Sequence, residues 1–153
     1  MNTTAIPAGY HTVTPYLAIK DAAKALEFYR QAFGATVKSR LTMPDGRVGH
    51  AEISIGDSLI LLADEFPAYG GKAPSTLGGS PVSIHLYVED ADTFFKQAVA
   101  AGARELKPLK DQFYGDRSGQ LQDPFGHLWW VATHKEDVSP EELQKRVEAM
   151  FGK

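Results

Sequence analysis

The chain contains no cysteine. That excludes disulfide scaffolds, zinc ribbons, iron–sulfur sites and cysteine nucleophiles together. No apolar run approaches the roughly 18 residues that a membrane-spanning helix needs. Basic residues are not in excess: Lys plus Arg is 16 against 19 Asp plus Glu, a net charge of −3. A nucleic-acid binder carries the opposite imbalance, so neither nucleic acid nor membrane is an expected partner. The stretch Met1 to Ala8 lacks both a charged start and an apolar core. No signal peptide is visible there, and the expected location is cytoplasmic. Nucleotide and hydrolase signatures are missing as well: there is no G-x-x-x-x-G-K, no G-x-G-x-x-G and no G-x-S-x-G.

What is present is enough for one packed domain: 153 residues, 43% apolar and 23% charged. Within it lies a repeat. Thr14–Ala35 reads TPYLAIKDAAKALEFYRQAFGA and Ser83–Ala103 reads SIHLYVEDADTFFKQAVAAGA. With one gap, Leu17 falls on Leu86, Asp21 on Asp90, Ala22 on Ala91 and Gly34 on Gly102. Each half opens with strand-like alternation, Leu17 and Ile19 in one and Ile84, Leu86 and Val88 in the other. An Asp then stands at an N-cap position, a helical apolar stripe follows, and a Gly ends it. Strands are expected after the first helix at Thr36–Met43, Val48–Ile55 and Ser58–Ala63, separated by Pro44-Asp45-Gly46 and Gly56-Asp57 turns. In the second half the clearest are Gln120–Gln122 and His127–Thr133, around the turn Asp123-Pro124-Phe125-Gly126.

These signals predict an α+β fold of two tandem β-α-β-β-β modules plus a C-terminal helix. Module one covers 10–65, a Gly-, Pro- and Ser-rich linker 66–81, module two 82–134 and the final helix 139–151. Ser139, Pro140 and Glu142 start that helix as a capping box, and Leu143, Val147, Met150 and Phe151 form its stripe, to pack on the body or on a partner chain. Helices on one side of each sheet leave the other side free. In module one the helix side is expected to hold Leu17, Ile19, Ala51, Ile53, Leu59 and Leu61. The free face is expected to hold Thr14, Tyr16, His50, Glu52, Ser54, Ile60, Leu62 and Asp64. In module two the free face carries Ser83, His85, Tyr87, Gln120, Gln122, Leu128, Trp130 and Ala132. Aromatic and aliphatic walls with a few polar groups suit a small-molecule cavity, against the alternative of a solvated or dimer-covered face.

Paired modules with this strand–Asp–helix–Gly start resemble the vicinal oxygen chelate superfamily, which includes glyoxalase I, extradiol dioxygenases and bleomycin-resistance proteins. Two stretches, GHAEISIGDSLILLADE (Gly49–Glu65) and DQFYGDRSGQLQDPFGHLWWVATH (Asp111–His134), resemble its PhnB-like branch. The resemblance implies the glyoxalase/bleomycin resistance-type fold, a shared cavity, a small-molecule ligand and a homodimer. It does not imply glyoxalase I activity. The positions matching that enzyme's four metal ligands are read as Thr14, Ile60, Ser83 and Trp130, where Thr and Ser are poor ligands and Ile and Trp cannot ligate.

The candidate catalytic residues are Glu52 and His85. Glu52 is a possible general base if apolar walls (Trp130, Ile60, Leu62) raise its pKa, and a salt-bridge residue otherwise. The candidate ligand-binding residues are Tyr16, His50, Tyr87, Tyr114, Arg117, Gln122 and Trp130. Arg117, read as a loop residue beside Asp116, either clamps an anionic ligand or pairs with Asp116. No cofactor is expected, the alternative being one divalent metal at His50, Glu52 and His85. His127 and Trp129 are read as structural, and His11 and His134 carry little signal. Three function classes stay open: a protein that only binds its ligand, an isomerase- or lyase-type enzyme with either the displaced metal or Glu52 alone, and a structural or interaction dimer with a vestigial cavity.

Overall fold

The computed structural model describes residues 2–152. Strand β1 (Tyr16–Ile19) leads into α1 (Ala22–Phe33), then β2 (Thr36–Thr42), β3 (Val48–Ile55) and β4 (Ser58–Asp64). The linker holds a 3-10 turn at Pro67–Tyr69 and a short helix, α2 (Pro74–Leu77). The second half follows with β5 (Ser83–Tyr87), α3 (Ala91–Ala101), β6 (Arg104–Asp111), β7 (Asp116–Gln122), β8 (Leu128–His134) and finally α4 (Pro140–Phe151). The strands form two four-stranded sheets, ordered β1-β4-β3-β2 and β5-β8-β7-β6. In each, the first strand runs parallel to the last, and the other pairings are antiparallel.

The repeat lies in the fastenings as well as in the order of elements. Asp21 caps α1 by accepting from the Lys24 N–H, and Asp90 caps α3 by accepting from Thr93. Gly34 closes α1 at φ 66, a left-handed conformation that suits a residue without Cβ. The end of the last strand then clips the helix start. The buried Asp64 carboxylate accepts the backbone N–H groups of Asp21 (3.0 Å), Ala22 (2.9 Å) and Val48 (2.7 Å). Thr133 does the same for module two, accepting from Ala91 N–H at 2.9 Å and donating to the Val88 carbonyl at 2.8 Å.

Helices α1 and α3 pack on each other and on the inward sheet faces, so one apolar core runs through both modules. Its centre is aromatic. Phe33 lies 4.6 Å from Trp129 and 5.6 Å from Phe94, centroid to centroid, and Tyr29 lies 5.4 Å from Trp129. The one acid in this seam, Asp123, is fully used. It accepts from the Tyr29 hydroxyl (2.5 Å), Trp129 Nε1 (2.9 Å) and the backbone N–H groups of Phe125 (2.9 Å) and His127 (3.0 Å). What reads in the sequence as a plain turn residue is therefore a polar pin between modules. Trp129 packs under the helices as expected, and His127 is structural, its Nε2 lying 2.9 Å from the Ala18 carbonyl of β1.

Three expectations need correction. First, β4 has the opposite phase. Tyr16 pairs with Leu61, and Leu61 with Glu52. Directly paired residues share a face, so Leu59, Leu61 and Ala63 face outward, and Ile60, Leu62 and Asp64 face the helices. The run Leu59–Ala63 is apolar throughout, so alternation carries no phase there. Second, β7 already begins at Asp116, so Asp116 and Arg117 are strand residues. Third, α4 caps and ends as expected, but none of its residues is buried and Phe151 is 71% exposed. It is held by Arg146, whose Nη1 donates to the Phe113 carbonyl and to Glu136, both at 2.8 Å.

Candidate functional site

On module one's outward face, β1, β3 and β4 bring Tyr16, His50 and Glu52 together. The Tyr16 hydroxyl lies 2.9 Å from His50 Nδ1, and His50 Nε2 lies 3.8 Å from a Glu52 oxygen. The segment before β1 adds a residue that no periodicity announced. The Tyr10 hydroxyl is shut off from solvent without a hydrogen bond of full geometry. The Glu52 carboxylate beside it pushes the phenol up to about 12. The reciprocal effect of Tyr10, helped by Ser39 and His50, outweighs partial burial and holds Glu52 below the usual carboxylate range. This reverses the expectation of a raised Glu52 pKa. Ile60 and Leu62, two of its supposed apolar walls, lie on the other side of the sheet.

Module two's outward face carries His85, Tyr87, Gln122 and Trp130. The His85 and Tyr87 rings are 4.7 Å apart. The Trp130 ring lies 5.1 Å from Lys107 Nζ, and Gln122 accepts from Arg104 at 2.5 Å. At the far end of β7 and β8 a polar chain runs from Tyr87 to Asp116 (2.8 Å), on to His134 Nδ1 (2.7 Å), and from His134 Nε2 to Asp137 (2.7 Å). Asp116 is buried, and with Asp137 it raises the His134 pKa. Asp116 likewise raises the Tyr87 phenol. Tyr114 joins the edge of this group through Ser118, at 3.2 Å. His134 was legible after all: it continues the outward parity of Trp130 and Ala132.

Arg117 points the other way. Its Nε and Nη2 hold both oxygens of Asp92 on α3, at 2.8 and 2.9 Å, and Nη1 reaches Asp111 at 3.3 Å. It neither pairs with Asp116 nor lines the candidate face. A cleft of about 1000 Å³ lies between the segment before β1, the β3–β4 turn and strand β5. Its rim includes His11, Thr14, His85, Tyr87 and His134, and the stacked rings of Phe33 and Phe94 line it more deeply. Glu52 and His50 are not among its lining residues. His85 thus does not join His50 and Glu52, and among the described residues no three His, Cys, Asp or Glu gather as a metal site requires.

The glyoxalase-type ligand positions fare no better. With the corrected β4 register, the residue equivalent to Trp130 is Leu61, since Trp130 pairs with His85 as Leu61 pairs with Tyr16. Leu61, like Ile60, offers no ligand atom, so the set Thr14, Leu61, Ser83 and Trp130 does not fit a metal.

Residues 10–131 match the family model of the Glyoxalase/Bleomycin resistance protein/Dioxygenase superfamily. The uncharacterized protein Mb0911c of Mycobacterium bovis is 42% identical over 135 residues, which cover 86% of this chain and 89% of that one. Protein PA1353 of Pseudomonas aeruginosa has a similar structure, with a TM-score of 0.68 at 25% identity over 83% of this chain and 100% of that one. A PhnB protein from Bacillus cereus superimposes with a TM-score of 0.62 at 21% identity, covering 80% and 99% of the two chains. Among the described residues, no helix is long and apolar enough to cross a membrane.

Proposed function

Since the chain belongs to the Glyoxalase/Bleomycin resistance protein/Dioxygenase superfamily, whose members bind small-molecule ligands, we propose that it is a homodimeric small-molecule-binding protein lacking the glyoxalase I metal site. The observation that carries this reading is the exposure of aromatic rings on both outward faces. Tyr16 is 53% and Tyr87 64% exposed, each beside hydrogen-bonding groups. Open rings flanked by hydrogen-bonding groups offer an apolar surface with a polar handle, which suits a flat ligand. Tyr16 and His50 on one sheet, and His85, Tyr87 and Trp130 on the other, are the contacts assigned to the ligand, with Tyr114 and Gln122 at the margin. Titration with neutral phenylnaphthylamine, read by its fluorescence, is expected to saturate, and Tyr16→Ala or Tyr87→Ala to weaken it. A linear, non-saturating response would count against the reading.

A second reading, an isomerase- or lyase-type enzyme, rests on the position of Glu52 beside His50, where its lowered pKa keeps it ionised but makes it a weaker base than a desolvated carboxylate would be. In it Glu52 takes a proton, and His85, which lies apart from Glu52 within one chain, positions or protonates the substrate from a second copy. Glu52→Gln should then abolish turnover while leaving ligand affinity intact. A stoichiometric divalent ion in protein purified without chelators would point instead to metal at His50, Glu52 and, across a rearranged or second chain, His85.

A further inference from the structure

Resting on the small-molecule reading, we infer that a second cavity, on module one's outward face, receives the acidic group of an aromatic or otherwise apolar monoanion, with Lys72 and Arg47 as its counter-charges. The cavity holds about 730 Å³, within the range of small-molecule sites. Tyr16, Ala18 and Ala63 form its floor from outward strand positions, and the linker residues Phe66 and Tyr69–Lys72 border its open side. Met43, Arg47 and Gly49 from the β2–β3 hairpin make the side wall. A Cβ on Gly49 would stand 2.7 Å from Met43 Sδ, so the glycine is what lets Met43 lie against the strand.

The two cations differ in what holds them. Arg47 is preset: Asp45 takes its Nε at 2.9 Å and Nη2 at 2.8 Å, and its guanidinium sits 4.2 Å from the Phe66 ring centroid. Its Nη1 has no hydrogen-bond partner among the described residues. Lys72 is exposed at the cavity's rim and has neither an ion pair nor a hydrogen bond among the described residues. Asp45 offsets part of the Arg47 charge, so Lys72 is the uncompensated one. The only acid lining the cavity, Asp64, has its carboxylate occupied by two backbone N–H groups at the start of α1 and by the Val48 N–H at the start of β3. Rings from Tyr16, Phe66 and Tyr69 and the soft Met43 thioether suit a flat apolar body. The ammonium and the free guanidinium edge suit a carboxylate or sulfonate.

The test compares two probes on the full chain: the anion anilinonaphthalene sulfonate and neutral phenylnaphthylamine. Lys72→Gln is expected to weaken the anion about tenfold, as loss of a charged hydrogen bond should, and to leave the neutral probe unchanged. Arg47→Gln should act in the same direction. Ala18→Phe, which fills the floor, should weaken both probes, with circular dichroism checking that the variant is folded. Unchanged anion affinity in both charge variants, or equal loss of both probes in Lys72→Gln, overturns this inference alone. A folded Ala18→Phe that binds both probes as before overturns the location. Failure of the wild-type chain to bind either probe overturns the small-molecule reading as well.

Discussion

Tyr29 and Asp123 meet in the dry seam between modules, and their bond shows how much a single polar pair is asked to do. Burial, and then the Asp123 charge, push the Tyr29 phenol well above its ordinary range, so it stays a neutral donor. Tyr29→Phe removes only the oxygen and leaves a buried carboxylate one donor short. We expect a loss of about 1–3 kcal/mol in urea unfolding. At the other end of module two, His134 gives a pH signature. Its pKa is raised in the folded chain by Asp116 and Asp137. The folded state therefore favours the imidazolium. That stabilisation is fully present below the unfolded value of about 6.5 and is lost as pH rises through the higher folded value. The melting-temperature gap between wild type and His134→Gln should thus be wider at acid than at alkaline pH. At this scale the sequence was only partly legible. The outward parity of Tyr16, His50, Glu52, His85, Tyr87 and Trp130 follows from period-2 alternation, whereas Tyr10 against Glu52 and Arg117 against Asp92 are tertiary contacts that no local pattern encodes.

Elements were read more securely, because their ends are marked by local chemistry. Asp21, Gly34, Asp90, Gly102 and Ser139 stand at helix ends in the sequence pattern and in the fold alike. Where local chemistry is silent, reading failed. β4 is apolar on both faces, and only its pairing with β1 and β3 sets its phase. The edge strand β6 is mostly exposed and so lacks alternation to detect. One glycine shows how tightly the elements of module two are fitted. A Cβ on Gly119 of β7 would come within 2.9 Å of the Leu109 N, the Lys107 carbonyl oxygen and the Phe95 ring of α3. Two of these are backbone atoms with nowhere to go, so Gly119→Ala should cost about 1–3 kcal/mol by overpacking. α4 is the contrasting case. It buries no residue, so a chain ending at residue 138 should keep its melting temperature within a few degrees while losing whatever contact α4 makes with a partner.

For the whole molecule, the decisive feature is that the helices cover one face of each sheet while the other stays largely open. One core through α1 and α3 joins the modules, yet His50 and Glu52 lie outside the cleft that His85 and Tyr87 line. A second copy laid on these faces would cover Tyr16 and Tyr87 and close the cavity that a single chain leaves open. The area is available: a standard interface takes about 800 Å² per partner, under a tenth of this chain's 9616 Å² surface. Light scattering at micromolar concentration should therefore give twice the 16.7 kDa chain mass. Replacing both rings by a charge, Tyr16→Arg with Tyr87→Arg, should shift the mass toward one chain, because an unpaired cation in a buried interface is strongly disfavoured. Neutral-probe affinity should fall in parallel if the ligand is enclosed between copies. A wild-type monomer would contradict the dimer. A dimer that survives both substitutions would move the interface elsewhere, with the exposed stripe of α4 the next surface to probe.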